Sequence, residues 1–243
     1  MRGRENPAIL KADSATSLRR VLEILRRLYG PRRCSGRRNP VGVLVATILS
    51  QNTNDVNSSA GYESLTRKLP TWDAVADAPT RQVERYIRVA GLAKTKASRI
   101  QAILREIRHR RGQVELDFLA EMDDDEAFRT LTAFKGVGPK TALCTLLLAM
   151  GRAVFPVDTH IFRIARRLGV LDEKVPLARA HEVLEPLVRP KDRYAMHMLL
   201  IAHGRSVCKA SRPVCDQCRI LHLCPHGQRM MAGVLNEGRE GTT

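Results

Sequence analysis

Four cysteines, Cys208, Cys215, Cys218 and Cys224, fall within seventeen residues in the spacing C-x6-C-x2-C-x5-C. Thiols this close together constrain the fold strongly, because the backbone between them must turn back to bring them around one centre. Disulfides are the first alternative. The N-terminus, MRGRENPAILKADSATSLRR, carries charge but no apolar signal core, so secretion is not expected and an intracellular, reducing setting is. A C-x2-C pair inside a four-thiolate set suits a metal centre. Zinc and an iron–sulfur cluster both accept four thiolates, and the spacing alone does not choose between them. With all four ligands supplied by protein, the site reads as structural. Its loop carries Lys209 and Arg212, which can meet a phosphate backbone. Cys34, in an Arg-rich loop, and Cys144, inside a helix, stand apart and read as unliganded.

The rest of the chain reads as all-α. Leu18, Val21, Leu22, Leu25 and Leu28 form an i, i+3, i+4, i+7 stripe that ends at Gly30-Pro31. An apolar run, Val41 to Leu49, follows a loop rich in Arg and Gly. Further helices are expected near 55–68, 81–89, 95–110, 125–134, 139–150, 159–168, 177–188 and 192–203. No alternating strand pattern and no repeat is evident. The segment Thr141 to Met150 is apolar nearly all round and belongs inside a core. The best boundary lies near Gly151-Arg152, and 227–243 reads as a disordered tail with little to bury.

Forty-one Lys and Arg against 25 Asp and Glu leave a formal charge of +16, which points to a polyanionic partner. The excess is blocked. Lys94 to Arg111 holds seven basic residues and one acid, whereas Glu115 to Glu126 holds seven acids and no base. Aromatic residues make up only 4%, which argues against a reader that stacks bases on an aromatic sheet. The run Val41 to Leu49 is too short to cross a bilayer, and no helix sets Lys/Arg opposite a Trp/Phe face, so a membrane partner is not expected.

FKGVGPKTA, Phe134 to Ala142, joins two expected helices. Gly136 and Gly138 permit a tight turn with unusual φ and close backbone approach, and Pro139 suits a first helical position. Free amides at such a start can hold a phosphate. The pattern looks like a helix-hairpin-helix, which grips a DNA backbone without reading sequence. Lys140 falls in the first turn, where the helix dipole disfavours an ammonium and burial would do the same. A neutral amine is a nucleophile able to form a Schiff base. Asp158, in FPVDTH, is an N-cap candidate, and a carboxylate opposite a lysine also stabilises positive charge or moves protons.

Together these motifs resemble the helix-hairpin-helix DNA glycosylase superfamily, most closely its endonuclease III branch. The resemblance runs from about Pro40 to Cys224. It rests on G-V-G-P-K-T-A with Lys140, V-D-T-H with Asp158, and the cysteine spacing, with Phe134-Lys135 standing where the family usually has Leu-Pro. It implies a six-helix domain containing the hairpin (39–152) and an iron–sulfur domain built from both chain ends (1–38 and 153–226), with the active cleft between them. It implies a 4Fe–4S cluster on the four cysteines. LSQNTND, with Gln51 and Asn52, and VAGLAKTKA, with Leu92 at the wedge position, match the two loops that enter DNA in that family. By the same resemblance Lys140 attacks C1′ of a flipped-out nucleotide, Asp158 assists, and the Schiff base permits β-elimination.

The implied activity is a bifunctional glycosylase and AP lyase acting on oxidised pyrimidines. Its partner would be double-stranded DNA containing damaged bases or abasic sites, bound by a monomer in the cytoplasm, at the nucleoid if the source is bacterial. A mismatch or uracil-type glycosylase with weak lyase activity remains open. So does a non-catalytic DNA-binding module, although binding alone requires neither Lys140 nor Asp158.

Overall fold

The computed structural model describes residues 7–34, 36 and 38–240, with side chains described over 13–34, 36 and 38–233. Every regular element among the described residues is helical. In chain order these are α1 (Pro7–Tyr29), α2 (Pro40–Leu49), α3 (Asp55–Lys68), α4 (Trp72–Asp77), α5 (Thr80–Tyr86) and α6 (Ala93–Arg111). They continue with α7 (Asp124–Thr132), α8 (Pro139–Met150), α9 (Thr159–Arg167), α10 (Ala180–Leu184), α11 (Arg193–Ser206) and α12 (Pro225–Glu240). Short 3-10 turns intervene, Arg88–Ala90 before α6 among them. No described helix is long and apolar enough to cross a membrane.

The chain divides into two units. One is Ser35–Arg152; the other combines Met1–Cys34 with Ala153–Thr243. The first is organised on α2 and α8, which pack against each other and are buried nearly all round. The apolar run after Asn39 becomes a helix because the Asn39 side chain accepts the Gly42 amide at 2.8 Å and Pro40 occupies the first turn. The six helices expected here are joined by a short seventh, α4. Thr71 caps it by accepting the Ala74 amide at 3.1 Å. It buries only Val75 and Ala76, too few apolar positions to leave a periodic trace.

The second unit is made by chain ends that return to one core. Leu18, Val21, Leu22 and Leu25 of α1 are buried with Ile161 and Ile164 of α9 and Leu199 of α11, whereas Leu28, last of the stripe, is 44% exposed. Asp192 ties α1 to the segment before α11, accepting from Arg26 at 2.8 Å and Arg189 at 2.7 Å. The tail expected from residue 227 is instead helical through Glu240. Its first turns are anchored: the Gln228 side chain donates to Leu221 O and His222 O, and Gly227 is buried against the cysteine loop. Contacts with the cysteine loop, which the local composition does not reveal, hold the start of α12.

Candidate active site and nucleic-acid interface

The hairpin between α7 and α8 is built from backbone bonds and one special torsion. Asp123 caps α7 by accepting the Glu126 amide at 2.8 Å. Phe134 N then donates to Leu131 O and Val137 N to Phe134 O, which folds the chain back. Phe134 and Val137 are buried beneath the turn, and the Arg110 guanidinium lies 5.1 Å from the Phe134 ring centroid. Of the two glycines, only Gly136 takes a left-handed φ, of +96°. Gly138 has φ −88° and ψ 173°, open to any residue, because it serves as the N-cap of α8. A Cβ there would meet nothing within 4 Å, and no side chain caps the helix start. The amide face is therefore open to an anion.

Lys140 stands half-buried in the first turn of α8, without a hydrogen bond or ion pair to any described residue. Its neighbour Thr141 is buried and accepts from Gln51 Nε2 at 3.4 Å, while Gln51 Oε1 accepts from Arg99 at 3.0 Å. Gln51 is thus tied to the hairpin helix. Asn52 beside it is exposed, with φ +52°. Leu92, at the N-cap of α6, has φ +50° and is 58% exposed. The third non-glycine residue with positive φ among those described is Arg212, at +53° on the exposed cysteine loop beside exposed Lys209. All three are DNA-contact candidates from the sequence, and residues held in the left-handed region gather at functional loops.

Asp158 lies on the other unit. Its Oδ1 accepts the Ile161 amide at 2.8 Å and so caps α9. Oδ2 has no hydrogen bond to a described residue.

The four cysteines line one pocket, closed on its apolar side by Ile164, Leu168, Val207 and Ile220. None of the chain's cysteines is in a disulfide. Burial first, then neighbouring thiolates, pushes Cys218 up to about 11, and the same causes raise Cys215 and Cys224. Cys215, Cys218 and Cys224 thus hold their protons until a cationic centre displaces them, which fits a metal core. A Cβ on Gly227 would come within 3.6 Å of Cys224 Sγ and 3.8 Å of Cys215 Sγ, and 2.8 Å from Leu221 Cδ1. Glycine leaves that space clear. Among the described residues, no three His, Cys, Asp or Glu side chains converge as ligands of one ion. Donors surround the sulfurs: Arg167 Nη1 is 3.1 Å from Cys208 Sγ, and the Gly227 amide is 3.4 Å from Cys224 Sγ. His203, pushed down to about 4 by burial, lies 3.6 Å from Cys218 Sγ.

Several of these residues escape a motif search. Arg167 also donates to Lys209 O and Ala210 O, fixing the basic loop from α9. Lys96 is 2% exposed, with Nζ 2.8 Å from both Leu49 O and Ala90 O. A sequence signal for it existed. Lys96, Ile100, Leu104 and Ile107 share one helical stripe, so a lysine stands in an inward register.

Comparison with known proteins agrees with this geometry. Residues 45–190 match the profile of the HhH-GPD superfamily base excision DNA repair protein. Endonuclease III of Sulfolobus acidocaldarius is 35% identical over 195 residues, 79% of this chain and 85% of that protein. A protein of Arabidopsis thaliana named as a DNA glycosylase is 35% identical over 176 residues, 72% of this chain, and the match spans 57% of its length. The structure of a trapped endonuclease III–DNA covalent intermediate superposes with a TM-score of 0.77 at 29% identity, covering 89% of this chain and 98% of that one. The chain belongs to the HhH-GPD superfamily of base excision DNA repair proteins, as an endonuclease III-like DNA glycosylase.

Proposed function

We propose that the protein removes oxidised pyrimidines from duplex DNA and then nicks the abasic site through a Schiff base on Lys140. The Nζ lone pair of Lys140 attacks C1′ of an extruded nucleotide, and the C1′–N bond breaks with its electrons leaving on the base. Asp158 stabilises the positive charge that develops on the sugar and takes up the amine proton. Opening of the sugar leaves a C1′=N bond conjugate to the lysine. Loss of a C2′ proton then expels the 3′ phosphate by β-elimination, and water later returns the free amine.

The observation that carries this reading is the Lys140 side chain. It is half-buried on the first turn of an uncapped helix, with no described partner to occupy it. A structural lysine would be expected to have a carboxylate or carbonyl to hold it. Asp158 caps α9 with one oxygen only, which leaves the other for chemistry. Gly136, Gly138 and the open amides of α8 would grip phosphate; Asn52 and Leu92 would enter the helix stack, with Gln51 at their base. Lys209 and Arg212 would meet the backbone, and the charge of +16 favours that encounter.

We assign a 4Fe–4S cluster to Cys208, Cys215, Cys218 and Cys224. A single zinc needs its thiolates about 2.3 Å from one point, whereas cluster ligands bond to separate irons and stand further apart. Four thiols lining one pocket, in the spacing that the resemblance to endonuclease III pairs with a cluster, support this assignment. When bound, it would hold the loop bearing Lys209 and Arg212 in a fixed shape. The enzyme would act as a monomer on damaged duplex DNA in the cytoplasm, at the nucleoid if the source is bacterial.

Borohydride trapping on abasic-site duplex tests the chemistry. The wild type is expected to form a covalent adduct that Lys140→Ala loses while still binding DNA. Binding without any adduct in the wild type would make the protein a non-catalytic module. Excision from thymine glycol or dihydrouracil duplexes, against uracil and adenine opposite 8-oxoguanine, tests the substrate class. Preference for uracil or mismatches would overturn the pyrimidine assignment. The preparation is expected to contain iron and acid-labile sulfide rather than zinc.

A further inference from the structure

We propose that Lys96 is a positioning residue for nucleotide extrusion, holding the Gln51–Asn52 loop and the Leu92 loop at a fixed spacing through its two carbonyl partners. The inference rests on the reading above that both loops enter the duplex.

The carbonyls at the C-terminus of α2 show why a side chain is needed. Ala46 O accepts from Ser50 N, Thr47 O from Ser50 Oγ, and Ile48 O from Gln51 N. Leu49 O is the next, and its acceptor capacity is met by Lys96 Nζ at 2.8 Å. The 3-10 turn before α6 ends in the same way. Ile87 O accepts from Ala90 N and Arg88 O from Gly91 N, and Ala90 O receives Lys96 Nζ at 2.8 Å. The amine therefore sits where two helical C-termini converge, and their carbonyl ends favour a cation. Burial pulls the Lys96 pKa below its ordinary value, so the contacts work against desolvation.

The two carbonyls lead directly into the candidate loops. Leu49 O lies two residues before Gln51, and Ala90 O two before Leu92. Each loop then contains a non-glycine residue in the left-handed region, Asn52 or Leu92, a conformation that persists only where the surroundings impose it. One turn along α6, Arg99 bonds Gln51 Oε1, and Gln51 in turn reaches Thr141, next to Lys140. The same helix thus holds the first loop at two points and connects it to the hairpin. Nothing in the motif chemistry uses Lys96, yet it is the group that both loops share.

A double-mutant cycle tests this. Lys96→Met keeps the stem and removes the donors. Extrusion is read from a fluorescent base analogue beside the lesion, and excision under single-turnover conditions with enzyme in excess. Leu65→Ala, a core cavity in α3, serves as a control for lost stability alone. Lys96→Met is expected to slow extrusion about tenfold while DNA affinity changes less than about threefold, and the double variant with Leu92→Ala to be no slower than the slower single variant. Additive losses, or a Lys96→Met rate equal to that of Leu65→Ala, would overturn the proposal. If Lys96→Met does not fold, Lys96→Arg, which keeps the charge but displaces both carbonyls, enters the same cycle with the same expectations. Leu92→Ala without any effect on extrusion would sink the assignment of that loop to the duplex, and the coupling with it. A normal Leu92→Ala defect beside an intact Lys96→Met rate would sink the coupling alone.

Discussion

Leu92 combines two unfavourable properties: an apolar side chain left in solvent and a left-handed backbone with φ +50°. A β-carbon in that region costs about 1–2 kcal/mol, and as N-cap of α6 leucine makes no side-chain cap bond to offset it. Leu92→Gly is therefore expected to raise the melting temperature by about 2–3 °C, the shift that about 1 kcal/mol produces in a chain of this size. Lesion excision should fall at the same time, since glycine fills no gap in a base stack. Calorimetry and single-turnover excision, run on the same preparation, check both. Loss of stability together with loss of activity would mean that Leu92 is held for packing. At this scale Lys140, Asp158 and the four cysteines stand out as candidates, because each belongs to a short contiguous motif. Lys96 belongs to no motif, and only its place in the inward stripe of α6 marks it. Its role depends on carbonyls 47 and 6 residues away, which no local pattern connects.

Among the elements, the hairpin separates two glycines that look alike in sequence. Gly136 has φ +96°, and a Cβ there would fall 3.1 Å from Arg99 Cδ, on the side chain that bonds Gln51. Gly138 has ordinary torsions and open space. Gly136→Ala is expected to cost about 1–2 kcal/mol in thermal or urea unfolding through left-handed strain. Gly138→Ala should leave folding within about 0.5 kcal/mol and weaken DNA binding through lost backbone approach. Equal effects of the two on unfolding would contradict this division. The apolar period of α1 marks its buried face, Leu18, Val21, Leu22 and Leu25, and the expected bounds of α3 and α8 coincide with those observed. The failures were α4, which buries too little to carry a period, the helix expected at 177–188, which is the five-residue α10 between two 3-10 turns, and α12, whose first turns are held by the loop at 221–224 rather than by its own composition.

Across the whole molecule, the second unit depends on residues far apart in the chain, and Asp192 is a measurable link between them. Burial pushes its carboxyl up, but hydrogen bonds from Arg26 and Arg189 and their charges outweigh burial and hold it below the ordinary carboxylate value. A depressed folded-state pKa means that the contribution is present above the unfolded pKa and lost as pH falls through the folded one. Asp192→Asn should therefore lower stability at neutral pH by about 1–2 kcal/mol, allowing for the exposure of both guanidiniums, and make acid unfolding below about pH 4 less steep. Unfolding curves of both proteins from pH 7 to pH 3 check the sign. An unchanged acid limb would assign the depressed carboxylate elsewhere.

By itself the sequence determined the all-helical class, the hairpin, the thiol set and the basic surplus, since each is written in spacing or composition over a few neighbouring residues. Tertiary structure alone decided which side chains of the α1 stripe enter the shared core and that Leu28 stays out, that 228–240 continue α12, and that one buried amine bonds a carbonyl ahead of each of two loops. Those outcomes depend on which distant groups lose water together, and desolvation is a property of the assembled neighbourhood, not of any single stretch of chain.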